Sequence, residues 1–257
     1  MSQDSNIPFN YRYFIALARQ AGGVILDYGC GRGQTVALGV AAGLDIWGAD
    51  TFSGHYADWA NHVDPAAQPR IKAIVEGRIP FADDTFDFVM SNQVLEHVRD
   101  PEAVVREVHR VLKPGGLFVA AFPVVETWYE GHIGLYFGHR FAPGSALRRA
   151  YFGAMHGLGF GLYRGTLSRE AWVTTSEKTL DDACFYYPHS RMIAAFHSAF
   201  GQDPEDGCAH YMRERLQARA RGIPGWADPL LRFVYHKRAG EIWLVRKSGG
   251  AGPAPAG

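Results

Sequence analysis

An α/β fold built on a mostly parallel sheet is predicted by three features. Three apolar residues at 24–26 run into Asp27 and then into glycines at every second position, Gly29, Gly31 and Gly33, the pattern of a buried strand feeding a tight turn. Strand-like and helix-like stretches then alternate through residue 122. A last β-rich run, EIWLVRK, comes near the C-terminus.

The elements follow in order. Phe9, Tyr13, Phe14 and Leu17 recur at helical spacing, so residues 9–20 are expected to form a helix that covers the sheet. The first strand ends at the glycine turn, where missing Cβ atoms let a ligand approach the backbone. Residues 34–43 read as a helix stopped by Gly43, its N-terminus offering unbonded N–H groups. A second strand, 44–50, ends at Asp50. That acid lies about twenty-one residues after Gly29, the distance at which a carboxylate meets ribose hydroxyls in nucleotide-binding units. Residues 53–61 read as a helix capped by Ser53, and 71–76 as a third strand. A turn at 83–85 feeds the fourth strand. Ser91, Asn92 and Gln93 stand at its carboxyl end, where open α/β sheets place ligands. Asp100 is a good N-cap, and Pro101 suits the first helical position. Val104, Val105, Val108, Val111 and Leu112 make one apolar face. Pro114-Gly115-Gly116 is expected to stop that helix before a fifth strand at 117–122. Residues 231–247 read as a closing antiparallel hairpin turning at Ala239-Gly240.

Composition narrows the function classes. The 26 basic and 26 acidic side chains cancel, and no long basic run favours a nucleic-acid partner. Cys30, Cys184 and Cys208 are too widely spaced for a zinc framework, and their odd number argues against a disulfide scaffold. A reduced, cytoplasmic setting is the simplest expectation. No signal peptide and no apolar stretch long enough for a membrane span is evident. The Gly/Pro/Ala tail at 249–257 is expected to be disordered.

The glycine spacing separates two cofactor classes. A dinucleotide fingerprint needs a glycine where Gln34 stands. The GxGxG pattern, with Asp27 two positions before it, instead resembles the first motif of the class I S-adenosylmethionine-dependent methyltransferases. The segment SNQVLEHV…DPEAVVREVHRVLKPGG closely resembles the fourth-to-fifth-strand segment of small-molecule members of the ubiquinone/menaquinone-biosynthesis type. The resemblance covers about residues 9–122 and the last strand. It implies a Rossmann-like class I methyltransferase sheet with S-adenosyl-L-methionine as cofactor. It further implies that the loop residues Asp27, Gly29, Cys30, Gly31 and Gly33 wrap the methionine part and ribose. Asp50 then takes the ribose, with Thr51 or Phe52 against the adenine, while Ser91, Asn92 and Gln93 meet the methionine end. Family members carry an acid after the third strand, in a Gly-Asp-Ala context, that contacts the adenine amino group. Here the text is Glu76-Gly77-Arg78, one residue short and without that Asp, so Glu76 and Gly77 stand in its place. Tyr11 and Tyr13 are pocket candidates on the same ground. His97 belongs to the family pattern either as a base near the cofactor or as a residue that orients its loop.

About 107 residues, 123–229, separate the fifth strand from the closing pair. This is too long for a simple crossover and reads as a helical substrate-lid insertion. The core is thus 1–122 with 230–248. Just after the fifth strand come Glu126, Trp128, Tyr129, His132, Tyr136, His139 and Arg140. They supply stacking surfaces, bases near neutral pH and a guanidinium fork. His132 and Glu126 are the preferred catalytic pair, and Trp128, Tyr129, Tyr136, His139 and Arg140 the substrate set. Arg148 and Arg149 read as a solvated helix face, and His189 and Arg191 as able to reach the pocket. A sulfonium methyl is already a good electrophile, so the protein aligns the nucleophile and removes a proton where needed. The histidine-rich lid points to O-methylation of a small molecule such as a natural product or saccharide, with carbon and nitrogen acceptors still open. A nicotinamide oxidoreductase and a non-catalytic cofactor-binding protein are the competing classes. No acidic cluster has the placement of catechol-type methylation, so no metal is expected.

Overall fold

The computed structural model describes residues 7–165 and 167–249. The tail expected to be disordered therefore lies, apart from Gly249, outside the described residues.

Helix α1 (Phe9–Ala21) buries Tyr13, Phe14 and Ala18 and leads into β1 (Val24–Tyr28). The glycine turn then opens α2 (Gln34–Ala41), followed by β2 (Asp45–Asp50) and a short β3 (Ile71–Ala73). Strand β4 (Phe86–Asn92) precedes α3 (Pro101–Val111) and the long β5 (Leu112–Phe122). Asp100 caps α3 as expected, its side chain accepting from the Ala103 N–H at 2.8 Å. A two-strand ribbon follows, β6 (Tyr129–Glu130) and β7 (Leu135–Tyr136). Then come α4 (Ala146–Gly157), α5 (Arg169–Ala183) and α6 (His189–Phe200). The chain closes through β8 (Glu205–Asp206), α7 (Cys208–Leu216), α8 (Asp228–Arg238) and β9 (Glu241–Arg246).

The seven-stranded sheet has the order β3-β2-β1-β4-β5-β9-β8. β1 through β5 pair in parallel, and β9 runs antiparallel to both of its neighbours. Alternate residues feed two cores, as a pleated sheet buried on both faces requires. Leu26, Val89, Phe118, Phe122 and Trp243 face α3 and α6. Ile25, Phe88, Met90, Val119 and Ile242 face α1, α2, α7 and α8. Phe118 stacks on Phe196 of α6 at 5.5 Å, and each such buried ring contributes about 2 kcal/mol through area removed from water.

Several local expectations are corrected. Residues 54–62 form a 3₁₀ helix, and the Ser53 hydroxyl bonds Thr51 Oγ1 instead of capping it. The third strand stops at Ala73, three residues short, because Glu76 and Gly77 turn at positive φ. Pro114-Gly115-Gly116 does not follow a helix end. The helix stops at Val111, and these residues lie inside β5, where the register against β4 shifts. Residues 228–238 are helical, because Leu231 and Tyr235, four apart, are the buried pair. The antiparallel partner of β9 beyond β5 is therefore the two-residue β8 and not a hairpin arm. Helix α6 packs on the sheet through Met192, Phe196 and Phe200, and α7 through Cys208 and Tyr211. A smaller separate core gathers Ile133, Leu135, Phe152, Trp172, Val173 and Leu180. Arg148 and Arg149 are not a solvated face. Arg148, 2% exposed, bonds Asp181 at 2.6 Å, and Arg149 pairs with Glu170 and Glu177, tying α4 to α5.

Candidate active site

Strand order reverses between β1 and β4, so the loops at their carboxyl ends part and leave a crevice. A cavity of about 490 Å³ opens there, lined by Gly29, Asp50, Thr51, Ile74, Gly77, Gln93, Val94 and His97 among others. Gly29, Gly31 and Gly33 all adopt positive φ. A Cβ on Gly31 would stand 2.7 Å from the Trp59 ring, so the loop is held close under that indole. Gly33 instead lies against Ala67 and Ile71, and the Cys30 sulfur against Gly48, so both serve packing.

Asp50 is anchored before any ligand arrives. Its Oδ2 accepts from the Gly31 N–H at 2.8 Å and its Oδ1 from the Phe52 N–H at 2.9 Å. Each oxygen keeps a lone pair for a hydroxyl donor. Phe52 is held at φ 45° by this bond and does not line the cavity. Asp27 lies beneath; burial and the charge of Asp50 push its carboxyl up to about 8, against a bond from Thr35. Glu76 is exposed and lines neither large cavity. Ser91 is buried, its hydroxyl without a partner among the described residues, while Asn92 and Gln93 reach cavity walls. The anchored carboxylate, the glycine approach and the apolar sides Ile74 and Val94 fit S-adenosylmethionine: acid to ribose, apolar slot to adenine.

A second cavity, about 940 Å³, lies beside the first. Phe9, Phe14, Tyr129, Tyr211 and Tyr235 give it aromatic walls, and Arg215 and Arg238 add positive charge. Tyr56, Trp59 and Gln93 line both cavities. At this junction two histidines meet, His97 lining the smaller cavity and His132 the larger. Their Nε2 atoms are 3.3 Å apart. His97 Nδ1 bonds the Ala183 carbonyl at 2.5 Å, and His132 Nδ1 bonds Glu130 Oε1 at 2.8 Å. Glu130 is buried and also receives the Tyr186 hydroxyl.

Burial alone would push His132 down, but Cys184 and Glu130 outweigh it and raise it to about 11. A ring that keeps its proton at neutral pH does not collect another, so the expected His132 base is replaced by a hydrogen-bond donor. Glu126 is not its partner. Its Oε2 accepts from the His189 N–H at 3.0 Å, capping α6 away from both cavities. Of the expected substrate set, only Tyr129 lines a cavity. Trp128 packs on Phe137 and Phe233, Tyr136 on Tyr129, His139 on Tyr186, and the exposed Arg140 over Phe137. Tyr13 bonds His210 at 3.0 Å and Tyr11 bonds Gln34 at 3.1 Å. His189 sits edge-on to Trp243, and Arg191 pairs with Glu102, so neither reaches the pocket. The sequence reading missed Tyr56, Trp59, Glu130, Cys184 and Tyr186. The two aromatics three apart after Asp50 were the readable signal.

Comparison with known proteins agrees with this geometry. Residues 26–120 match a family described as a methyltransferase domain. An uncharacterized methyltransferase of Mycobacterium leprae is 35% identical over 120 residues, covering 45% of this chain and 42% of the relative. One from Mycolicibacterium vanbaalenii is 36% identical over 135 residues, 51% of this chain and 52% of the relative. The matches thus span about half the length of these relatives. A crystal structure of an S-adenosylmethionine-dependent methyltransferase from Mesorhizobium loti covers 93% of this chain and 98% of its own. Its TM-score is 0.52 at 19% identity, a likeness of fold. Among the described residues no helix is long and apolar enough to cross a membrane.

Proposed function

We propose that this chain, whose residues 26–120 match a methyltransferase domain, is a class I S-adenosylmethionine-dependent methyltransferase that methylates an oxygen of a small acceptor held in the larger cavity. The observation that carries this reading is the junction. One cavity offers the anchored Asp50 and the glycine turn, the other an aromatic chamber, and the two converge where His97 and His132 meet.

The cofactor, when bound, supplies a methyl group on a cationic sulfur, already reactive towards nucleophiles. The chain's task is placement. Asp50 holds the ribose, and Gln93, Tyr56 and Trp59 form the wall along which donor and acceptor approach. The Tyr129, Tyr211 and Tyr235 rings take an apolar acceptor body, and Arg215 and Arg238 favour one with an anionic group. The Glu130-backed His132 and the neighbouring His97 orient the acceptor oxygen. The ribbon β6–β7 with α4 and α5 keeps water from it. Oxygen is preferred over carbon or nitrogen because polar groups converge at the one place where both cavities open.

Calorimetry with S-adenosylmethionine, and in parallel with NADH, tests the donor site; binding of the first alone is expected. Transfer of labelled methyl to hydroxylated aromatic acids, sugars, amines and activated carbon acids then tests the acceptor. His132→Gln is expected to lower turnover by at least tenfold while cofactor affinity stays within about twofold. NADH binding refutes the donor assignment, and transfer confined to amines or carbon acids refutes oxygen.

A further inference from the structure

We propose that His97 Nε2, His132 Nε2 and Cys184 Sγ form a binding site for one divalent transition ion of the zinc class. The three ligand atoms lie within 4.8 Å of one another, and all three side chains are half-buried.

Ring orientation is the first argument. A carbonyl and a carboxylate only accept hydrogen bonds, so the Ala183 carbonyl and Glu130 each require the Nδ1 they face to carry the hydrogen. His97 Nε2 is thereby a lone-pair atom that can accept from the protonated His132 Nε2 at 3.3 Å and from the Tyr56 hydroxyl at 3.4 Å, and an ion bound between the rings takes the place of that His132 proton. Metal-binding histidines show this same outer arrangement, one nitrogen on the ion and the other ring N–H on a carboxylate or backbone carbonyl.

An unpartnered buried carboxyl group next in sequence to His97 is the second. Glu96 is 1% exposed, and neither of its carboxyl oxygens has a hydrogen-bond partner among the described residues. The site also sits at the C-terminal end of the fifteen-residue α5, where the helix dipole favours a cation. Two imidazoles and a thiolate suit Zn²⁺ or Co²⁺ and not Mg²⁺.

Three protein ligands leave a position open, as in catalytic zinc sites. His97 and His132 line the two cavities, so that position serves a ligand at their junction. An acceptor oxygen or sulfur bound there would be polarised by the ion beside the methyl donor. This use of the ion rests on the proposed function; the site itself does not.

The test uses chelator-stripped full-length protein. Titration with Zn²⁺ should give one ion per chain by calorimetry, and Co²⁺ should give a sulfur-to-cobalt charge-transfer band. Cys184→Ser should abolish that band and Glu130→Gln should weaken Zn²⁺ binding about 10- to 100-fold, with circular dichroism unchanged. Cys208→Ser should keep the band, because Cys208 belongs to a separate cluster with Asp206 and His236. No Zn²⁺ binding, a band that survives Cys184→Ser, or a band lost in Cys208→Ser overturns the proposal. If Cys184→Ser does not fold, Glu130→Gln decides alone, and unchanged Zn²⁺ affinity refutes the site. S-adenosylmethionine affinity is measured on the same preparations. Zn²⁺ without cofactor binding refutes the functional reading only, and cofactor without Zn²⁺ refutes the metal site only.

Discussion

Removing the Asp50 carboxylate should weaken S-adenosylhomocysteine binding roughly a hundredfold. Two hydroxyl donors would be lost, and a hydrogen bond to a charged acceptor contributes about 1.5–3 kcal/mol. Asp50 is only half-buried, so the low figure applies twice, giving about 3 kcal/mol or roughly a hundredfold in Kd. The structure adds a second cost. Asp50→Ala strips the acceptor from the Gly31 and Phe52 N–H groups, and Phe52 sits at φ 45° without its tether. Asp50→Asn keeps one oxygen but turns an amide NH₂ toward one of those donors, so it should bind almost as poorly as alanine. Calorimetry well below the melting temperature, with near-UV circular dichroism to verify the fold, reads both. A folded Asp50→Ala protein whose Kd changes less than threefold would refute the ribose role.

Two further outcomes are expected. His236 lies between Asp206 (2.9 Å) and Glu241 (2.8 Å), which raise it from 6.5 to about 9 at 23% side-chain exposure. The rise corresponds to about 3 kcal/mol. Its sign is that of a raised basic group: the stabilisation is complete below pH 6.5 and disappears as pH climbs through about 9. Urea unfolding of wild type and His236→Gln should differ by that amount at pH 6 and converge above pH 9.5; parallel curves would contradict the clamp. Glu126→Ala removes the cap of α6 and should cost about 1 kcal/mol, or about 3 °C in Tm, without changing turnover. A large loss of activity at unchanged Tm would return Glu126 to the catalytic site.

The strand, glycine turn and helix, with Asp50 beside them, were legible because they are local. Residues 24–33 write strand, turn and helix in consecutive order, and Asp50 follows at a fixed distance. The cap at Asp100-Pro101 is equally local. What failed depends on partners far along the chain. Residues 228–238 carry β-favouring Phe233 and Val234, but both are exposed, and packing of Leu231 and Tyr235 decides for helix. Glu126 and Glu130 stand six and two residues before His132, and neither spacing says which one faces it. Only the folded ribbon turns Glu130 inward and leaves Glu126 under α6. Cys184 and Tyr186 reach the histidines because α5 ends against the loop after β4, which no periodicity announces.

The wall that Tyr56, Trp59 and Gln93 share between the two cavities has a kinetic meaning. If the two cavities hold donor and acceptor as proposed, whichever molecule enters first sets these side chains for the other, and their binding is expected to be coupled. Linkage makes that influence mutual: if the donor tightens the acceptor by some factor, the acceptor tightens the donor by the same one. Departure obeys the same coupling. On the proposed assignment a methylated product and the spent cofactor share this wall, so an ordered release of the two is the expected outcome.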